Sequence, residues 1–176
     1  MSTFVSVGNG TQSFSRLLTE VKRIAHLLPQ PVVVQCGHTD PKICEGLQVF
    51  TFVDVATFKK LLGESDVFIC HGGGGSIFTA LGLGKKPVVV PRLDTYREIV
   101  DDHQMIFARE LARQGKIILV EDVAQLLAAS TQDASNYLYN DVREMRSDPV
   151  EQIALQMEPC VSRQVWDSFR GSQESF

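Results

Sequence analysis

What this chain lacks narrows its class first. No uninterrupted apolar run approaches the ~20 residues a helix needs to cross a bilayer, and the opening Met1-Ser2-Thr3-Phe4-Val5-Ser6-Val7 has no basic stretch ahead of an apolar one. Neither a membrane segment nor a secretory leader is therefore expected, and a cytoplasmic location follows. Basic side chains are not in excess: 17 Lys and Arg face 21 Asp and Glu, a formal net charge of −4. The basic stripe of a nucleic-acid binder is missing, which sets that class aside. Cys36, Cys44, Cys70 and Cys160 form no CxxC pair and no spacing with histidine that suits zinc. No metal site and no disulfide framework is expected, and the thiols read as reduced and mostly in the core.

The rest of the composition is that of a globular protein. Of 176 residues 44% are hydrophobic and 22% charged, enough for one self-standing core. Charge is uneven: residues 1–132 carry 13 basic and 13 acidic side chains, residues 133–176 carry 4 and 8. We expect one domain over 1–132 and an acidic helical C-terminal extension over 133–176. In that extension Leu138, Val142 and Met145, then Ile153 and Met157, then Val165, Trp166 and Phe169 have spacings that pack a helix onto a core or onto a partner.

Short apolar runs alternate with segments of helical spacing. Strands are predicted at Thr3–Val7, Val32–Cys36, Val49–Phe52, Val67–Cys70, Val88–Val90 and Ile117–Val120. Helices are predicted from about Ser13, with Phe14, Leu17, Leu18, Val21 and Ile24 on one face, over Val55–Leu62, from the glycine run to Leu83, and over Val100–Arg113. Continuously apolar strands in a βαβ rhythm imply an α/β fold with a doubly wound parallel sheet covered on both faces. Ligands of such sheets lie beyond the carboxyl ends of the strands.

At one such end the strand Val67-Phe68-Ile69-Cys70 runs into His71-Gly72-Gly73-Gly74-Gly75-Ser76 and then a helix. Four glycines in regular structure cost roughly 0.5–1 kcal/mol each relative to alanine, so a backbone approached closely by a ligand is the functional reading and a tight turn the plain one. The unpaired N–H groups opening a helix carry partial positive charge and suit phosphate, with Ser76 as an added donor or a cap. The spacing matches neither a P-loop nor a dinucleotide fingerprint. Gly8-Asn9-Gly10-Thr11 makes a second loop at the same edge, although Asn-Gly also serves ordinary turns. Asp101-Asp102-His103-Gln104 opens a later helix, where the acids suit the helix dipole and His103 and Gln104 suit sugar hydroxyls. His26 and His38 read as structural, while His71 sits at the mouth of the glycine run.

Together, His71–Ser76, Ala80-Leu81-Gly82-Leu83-Gly84-Lys85-Lys86-Pro87, Val88-Val89-Val90-Pro91-Arg92 and Asp101-Asp102-His103-Gln104 resemble the carboxyl-terminal domain of family 28 glycosyltransferases. Val5-Ser6-Val7-Gly8, Phe14, Arg16-Leu17 and Val34-Gln35-Cys36-Gly37-His38 narrow the resemblance to short, stand-alone members. These include the catalytic subunit of the eukaryotic dolichol-linked N-acetylglucosamine transferase and the exopolysaccharide subunit called PssE. The resemblance spans about residues 3–128. It implies a Rossmann-like sheet forming the donor-binding half of a GT-B fold.

By that resemblance, Gly8, Asn9, Gly10 and Thr11 with Gly72, Gly73, Gly74, Gly75 and Ser76 face the diphosphate of a UDP-sugar. Phe52 and Val53 hold the uracil. Thr79 stands where relatives often carry a ribose-binding Glu, and Asp102, His103 and Gln104 meet the donor sugar. Arg92 and Arg97 read either as partners of a sugar carboxylate or as solvated charges. The implied reaction is inverting transfer, with helix-terminal N–H groups stabilising the departing diphosphate and no metal or other cofactor. His71 is the local candidate for the base, which can also come from a partner. The implied partner is a membrane-anchored subunit that binds a lipid-linked acceptor and recruits this chain to the membrane. A nucleotide-sugar-binding regulatory or scaffold subunit without activity is the alternative, and a UDP-sugar epimerase would need both halves in one chain.

Overall fold

The computed structural model of the protein describes residues 1–100 and 103–131; Asp101, Asp102, Cys160 and the expected extension over 133–176 lie outside them. Six strands, β1 (Thr3–Ser6), β2 (Val32–Gln35), β3 (Gln48–Phe50), β4 (Val67–His71), β5 (Val88–Val90) and β6 (Ile118–Leu119), pair in the order β3-β2-β1-β4-β5-β6. Every pairing is parallel, with Ser6 opposite Gln35 on one side and Cys70 on the other.

The alternation of side chains across the pleat divides the core in two. Val5, Val34, Ile69, Val88 and Val90 point to one face, and Phe4, Val33, Phe68, Cys70 and Val89 to the other. The first face is covered by α1 (Ser15–Ile24) and α5 (Leu126–Thr131), the second by α2 (Val55–Glu64), α3 (Gly74–Gly82) and α4 (His103–Arg113). Leu17, Leu18, Val21 and Ile24 repeat at helical spacing and are fully buried, each contributing roughly 1.5–3 kcal/mol. Both faces are thus apolar, as the sequence pattern predicts, and the doubly wound parallel sheet follows.

Cys36, Cys44 and Cys70 are free and buried, and burial pushes the Cys44 thiol up to about 11. Element ends differ from expectation in ways that matter for the site. α3 begins at Gly74, so two of the four consecutive glycines belong to the helix and the connection from β4 is only Gly72-Gly73. The helix expected over Val100–Arg113 is described over His103–Arg113, and the helix Leu126–Thr131 is one the sequence pattern does not predict. Among the described residues no helix is long and apolar enough to cross a membrane.

Candidate functional site

The order of the strands reverses direction between β1 and β4: from β1 the chain winds outward through β2 and β3, and from β4 outward through β5 and β6. The connections leaving β1 and β4 therefore part to opposite faces, and a crevice opens between them at the carboxyl edge. Two segments border it, the β1–α1 loop from Val7 to Phe14 and the start of α3. α2 is capped by Asp54, whose Oδ1 accepts the Thr57 N–H at 2.7 Å. α3 has Gly73 at the capping position, no side-chain cap and no acid in its first turn. Its leading N–H groups, from Gly74, Gly75 and Ser76, are left for an anion. A Cβ on Gly75 would meet nothing within 4 Å. One turn on, the Thr79 hydroxyl donates to the Gly75 carbonyl at 2.7 Å.

The other glycines answer to side chains. The His71 imidazole lies between Gly8 and Gly73. A Cβ on Gly8 would fall 2.9 Å from His71 Nδ1 and closer still to Cε1 and Nε2, and one on Gly73 would fall 2.8 Å from Cε1 and closer to Nε2. Gly8 also has φ +74, in the left-handed region. A Cβ on Gly72 would fall 2.9 Å from the Gln104 Cβ. His71 Nδ1 is buried and finds no hydrogen-bond partner among the described residues. Burial, then the nearby Arg92 charge, lowers the His71 pKa to about 4, so the imidazole is neutral at pH 7.

The segment joining β5 to α4 is held by a buried polar network that the sequence did not reveal. Arg92 is 2% exposed. Its Nη1 donates to the carbonyls of Gln12 at 2.8 Å and Glu98 at 3.2 Å, and its Nη2 to Val7 at 3.0 Å, while its guanidinium lies 4.7 Å from the Phe14 ring centre. Arg16 reaches the same segment from α1, with Nε 3.0 Å from Glu98 Oε1 and Nη2 2.9 Å from both Glu98 Oε2 and the Pro91 carbonyl. Glu98 Oε2 accepts the Leu93 N–H at 3.1 Å. Arg92 is thus not a solvated charge: carbonyls of the β1–α1 loop and of Glu98 accept from its terminal nitrogens, while its buried Nε finds no partner among the described residues. Gln104 is buried, and its Oε1 accepts the Arg92 N–H at 3.2 Å, so its carboxamide oxygen fixes the backbone after β5. Arg97 is exposed and takes φ +56 at the end of a short 3-10 turn.

On the far side of the crevice, Phe52 and Val53 follow β3, and Phe52 is 46% exposed. The His38 ring meets Phe52 edge-on at 5.1 Å, and its Nδ1 lies 3.2 Å from the Gly10 carbonyl, a bond in which the ring nitrogen donates. His38, expected to be structural, therefore joins the crevice. Asn9, Gly10 and Thr11 are exposed there, and Gln35 Nε2 points at Asn9 Oδ1 at 3.5 Å. The signal for His38 and Gln35 was their place at the carboxyl end of β2. His103 begins α4 beside Gln104. His26 lies in the exposed turn after α1 and takes no part.

The model of the glycosyltransferase family 28 C-terminal domain matches residues 3–153. Over 70 residues the chain is 36% identical to the UDP-N-acetylglucosamine transferase subunit ALG13 of Cryptococcus neoformans, covering 39% of this chain and 34% of that protein. The chain thus spans about a third of the length of the curated relatives it matches. Among solved structures it is similar to CalG4, the calicheamicin glycosyltransferase, with a TM-score of 0.61 at 15% identity over 92% of this chain and 44% of that one. It is also similar to Acinetobacter baumannii MurG, with a TM-score of 0.50 at 23% identity over 70% of this chain and 40% of that one. The fold is that of the C-terminal half of a GT-B glycosyltransferase.

Proposed function

The chain belongs to the glycosyltransferase family 28 C-terminal domains, and on that premise we propose that it is the donor-binding catalytic subunit of an inverting, UDP-sugar-dependent glycosyltransferase. It works with a membrane-anchored partner that presents a lipid-linked acceptor, in polysaccharide or lipid-linked oligosaccharide synthesis. The observation that carries the reading is the uncapped start of α3 at the β1/β4 switch point, facing the exposed Asn9, Gly10 and Thr11. The diphosphate lies against the N–H groups of Gly74, Gly75 and Ser76. The uracil lies toward Phe52, Val53 and His38, and the ribose toward Thr79. The sugar extends toward His103 at the start of the described part of α4.

The chemistry follows from that placement. Displacement of the diphosphate by the acceptor hydroxyl builds negative charge on the leaving oxygens, and the fixed N–H groups of α3 stabilise that charge more than the ground state. The reading is supported by the likeness to ALG13, a UDP-N-acetylglucosamine transferase subunit, over its matched 70 residues. Calorimetric titration of the purified chain with UDP, UDP-glucose, UDP-N-acetylglucosamine and UDP-glucuronic acid tests the first half. Sugar transfer with and without a co-expressed membrane subunit tests the second. UDP binding without transfer in any combination would leave only a binding subunit, and no UDP binding would sink both.

A further inference from the structure

We propose that His71 is a positioning residue, its imidazole a spacer that holds the β1–α1 loop and the start of α3 in register, rather than the group that takes the acceptor's proton. The inference rests on the donor-site reading above and assigns this ring its part in that site.

Three observations carry it. The ring occupies the space of two missing side chains, one on each loop, so Gly8 and Gly73 are both in contact with a single side chain that belongs to neither. Substituting either glycine would drive a methyl into the ring, and removing the ring would leave both backbones unsupported. Second, Nδ1 is buried without a partner among the described residues. A base is held in its tautomer by a firm bond from an orienting group; among the described residues no side chain supplies one to Nδ1, and the Ser6 backbone alone favours the ring's cation. Third, the loops that meet at the ring are fixed from outside as well: Arg92 binds the Val7 carbonyl just before Gly8, and Gln104 packs on Gly72 just before Gly73. The ring is thus the inner contact of a clamp whose outer members are Arg92 and Gln104. Its neutrality at pH 7 agrees with a spacer set beside a buried guanidinium.

The experiment uses the full chain with UDP as ligand, comparing wild type, His71→Ala, Gly73→Ala and the double variant at a temperature where each is folded. Gly73→Ala keeps the imidazole but displaces it. The expected result is that each single variant weakens UDP binding at least tenfold, while the double variant binds no worse than the weaker single one, because the added methyl then occupies space the ring has vacated. Amide hydrogen exchange without ligand gives a second reading: His71→Ala accelerates exchange at Gly8 and Gly10 as well as at Gly74 and Gly75. Unchanged UDP affinity in His71→Ala, with only the transfer rate lost, would overturn the proposal. So would multiplicative effects in the double variant, or exchange changes confined to residues 72–76. Wild type that binds no UDP would instead strike the donor reading, and the exchange measurement would still decide the clamp.

Discussion

Acidification is the simplest way to load the centre of this site, because the His71 imidazole is held neutral there and gains its proton readily only when the chain unfolds. His71 titrates near 6.5 in an unfolded chain and near 4 in the folded protein, where burial and Arg92 disfavour its cation. Between those values the unfolded chain binds the extra proton, so stability rises with pH. The contribution is complete above about pH 6.5 and is lost as pH falls toward 4. The full difference of about 2.5 units corresponds to about 3 kcal/mol, and at pH 5 about 2 kcal/mol has already gone. The perturbed carboxylates act elsewhere. Hydrogen bonds from Arg23 to Glu20, from the Thr57 backbone to Asp54, from Arg113 to Glu110 and from Arg109 to Glu121 all lower the pKa of those acids, so their contributions fade only as pH falls through the ordinary values, 4.5 for the glutamates and 3.8 for Asp54. Urea unfolding of wild type and His71→Asn at pH 7, 6 and 5 isolates the effect. Wild type should lose about 2 kcal/mol more than the variant between pH 7 and 5. Parallel pH curves for the two proteins would show that the imidazole is solvated and already protonates near 6, refuting the burial argument.

Three further changes address the neighbouring residues. Gly75→Ala should leave the fold intact or stabilise it by roughly 0.5 kcal/mol, since its methyl meets nothing. It should also weaken UDP binding at least tenfold by placing a methyl in the open space before the α3 N–H groups; calorimetry showing unchanged affinity would remove α3 from the site. Arg92→Lys retains the charge but loses the planar fork that joins Gln12, Val7 and Glu98. A loss of about 3 kcal/mol in denaturant unfolding is expected, and less than about 1 would mean the carbonyls find other donors. Thr79→Glu supplies a carboxylate where the present hydroxyl is bonded back to Gly75. Tighter binding of UDP than of 2′-deoxy-UDP by a larger ratio than in wild type is the expected outcome, read by competitive titration.

The sheet was legible because its code is local. Val32–Val34, Val67–Ile69 and Val88–Val90 are apolar on both faces of the pleat, and only a sheet covered twice can bury such runs. The uncapped helix start after β4 followed from the glycines and the helical spacing after them. What stayed hidden depends on distant partners. Arg92 and Glu98 are polar residues that composition places at the surface, and they are buried only because Val7, Gln12 and Arg16 lie some 80 positions earlier in the chain. The bond from the Arg92 backbone to the Gln104 oxygen likewise joins elements that no local pattern relates. His38 was set aside as a lone histidine, and its place beside Gly10 and Phe52 comes from β2 lying next to β1, which no local pattern records.

The glycine run itself divides in a way that bears on catalysis. Gly72 is small because Gln104 packs on it, and Gly73 because His71 does; Gly75 alone among those three opens onto free space. On the proposed reading the surface presented to phosphate is the first turn of α3, narrower than four consecutive glycines imply. The same packing that makes the turn rigid keeps the nearest imidazole weakly basic. A general base works best with a pKa near the working pH, and a histidine held near 4 falls well below that. On the proposed reading, this half of the site contributes fixed electrostatic stabilisation of the leaving diphosphate, and the proton of the acceptor hydroxyl passes to a group brought by the partner along with the acceptor. Transfer should then depend on the partner in kcat, while UDP affinity, which needs only the clamped loops and the start of α3, should be the same with and without it.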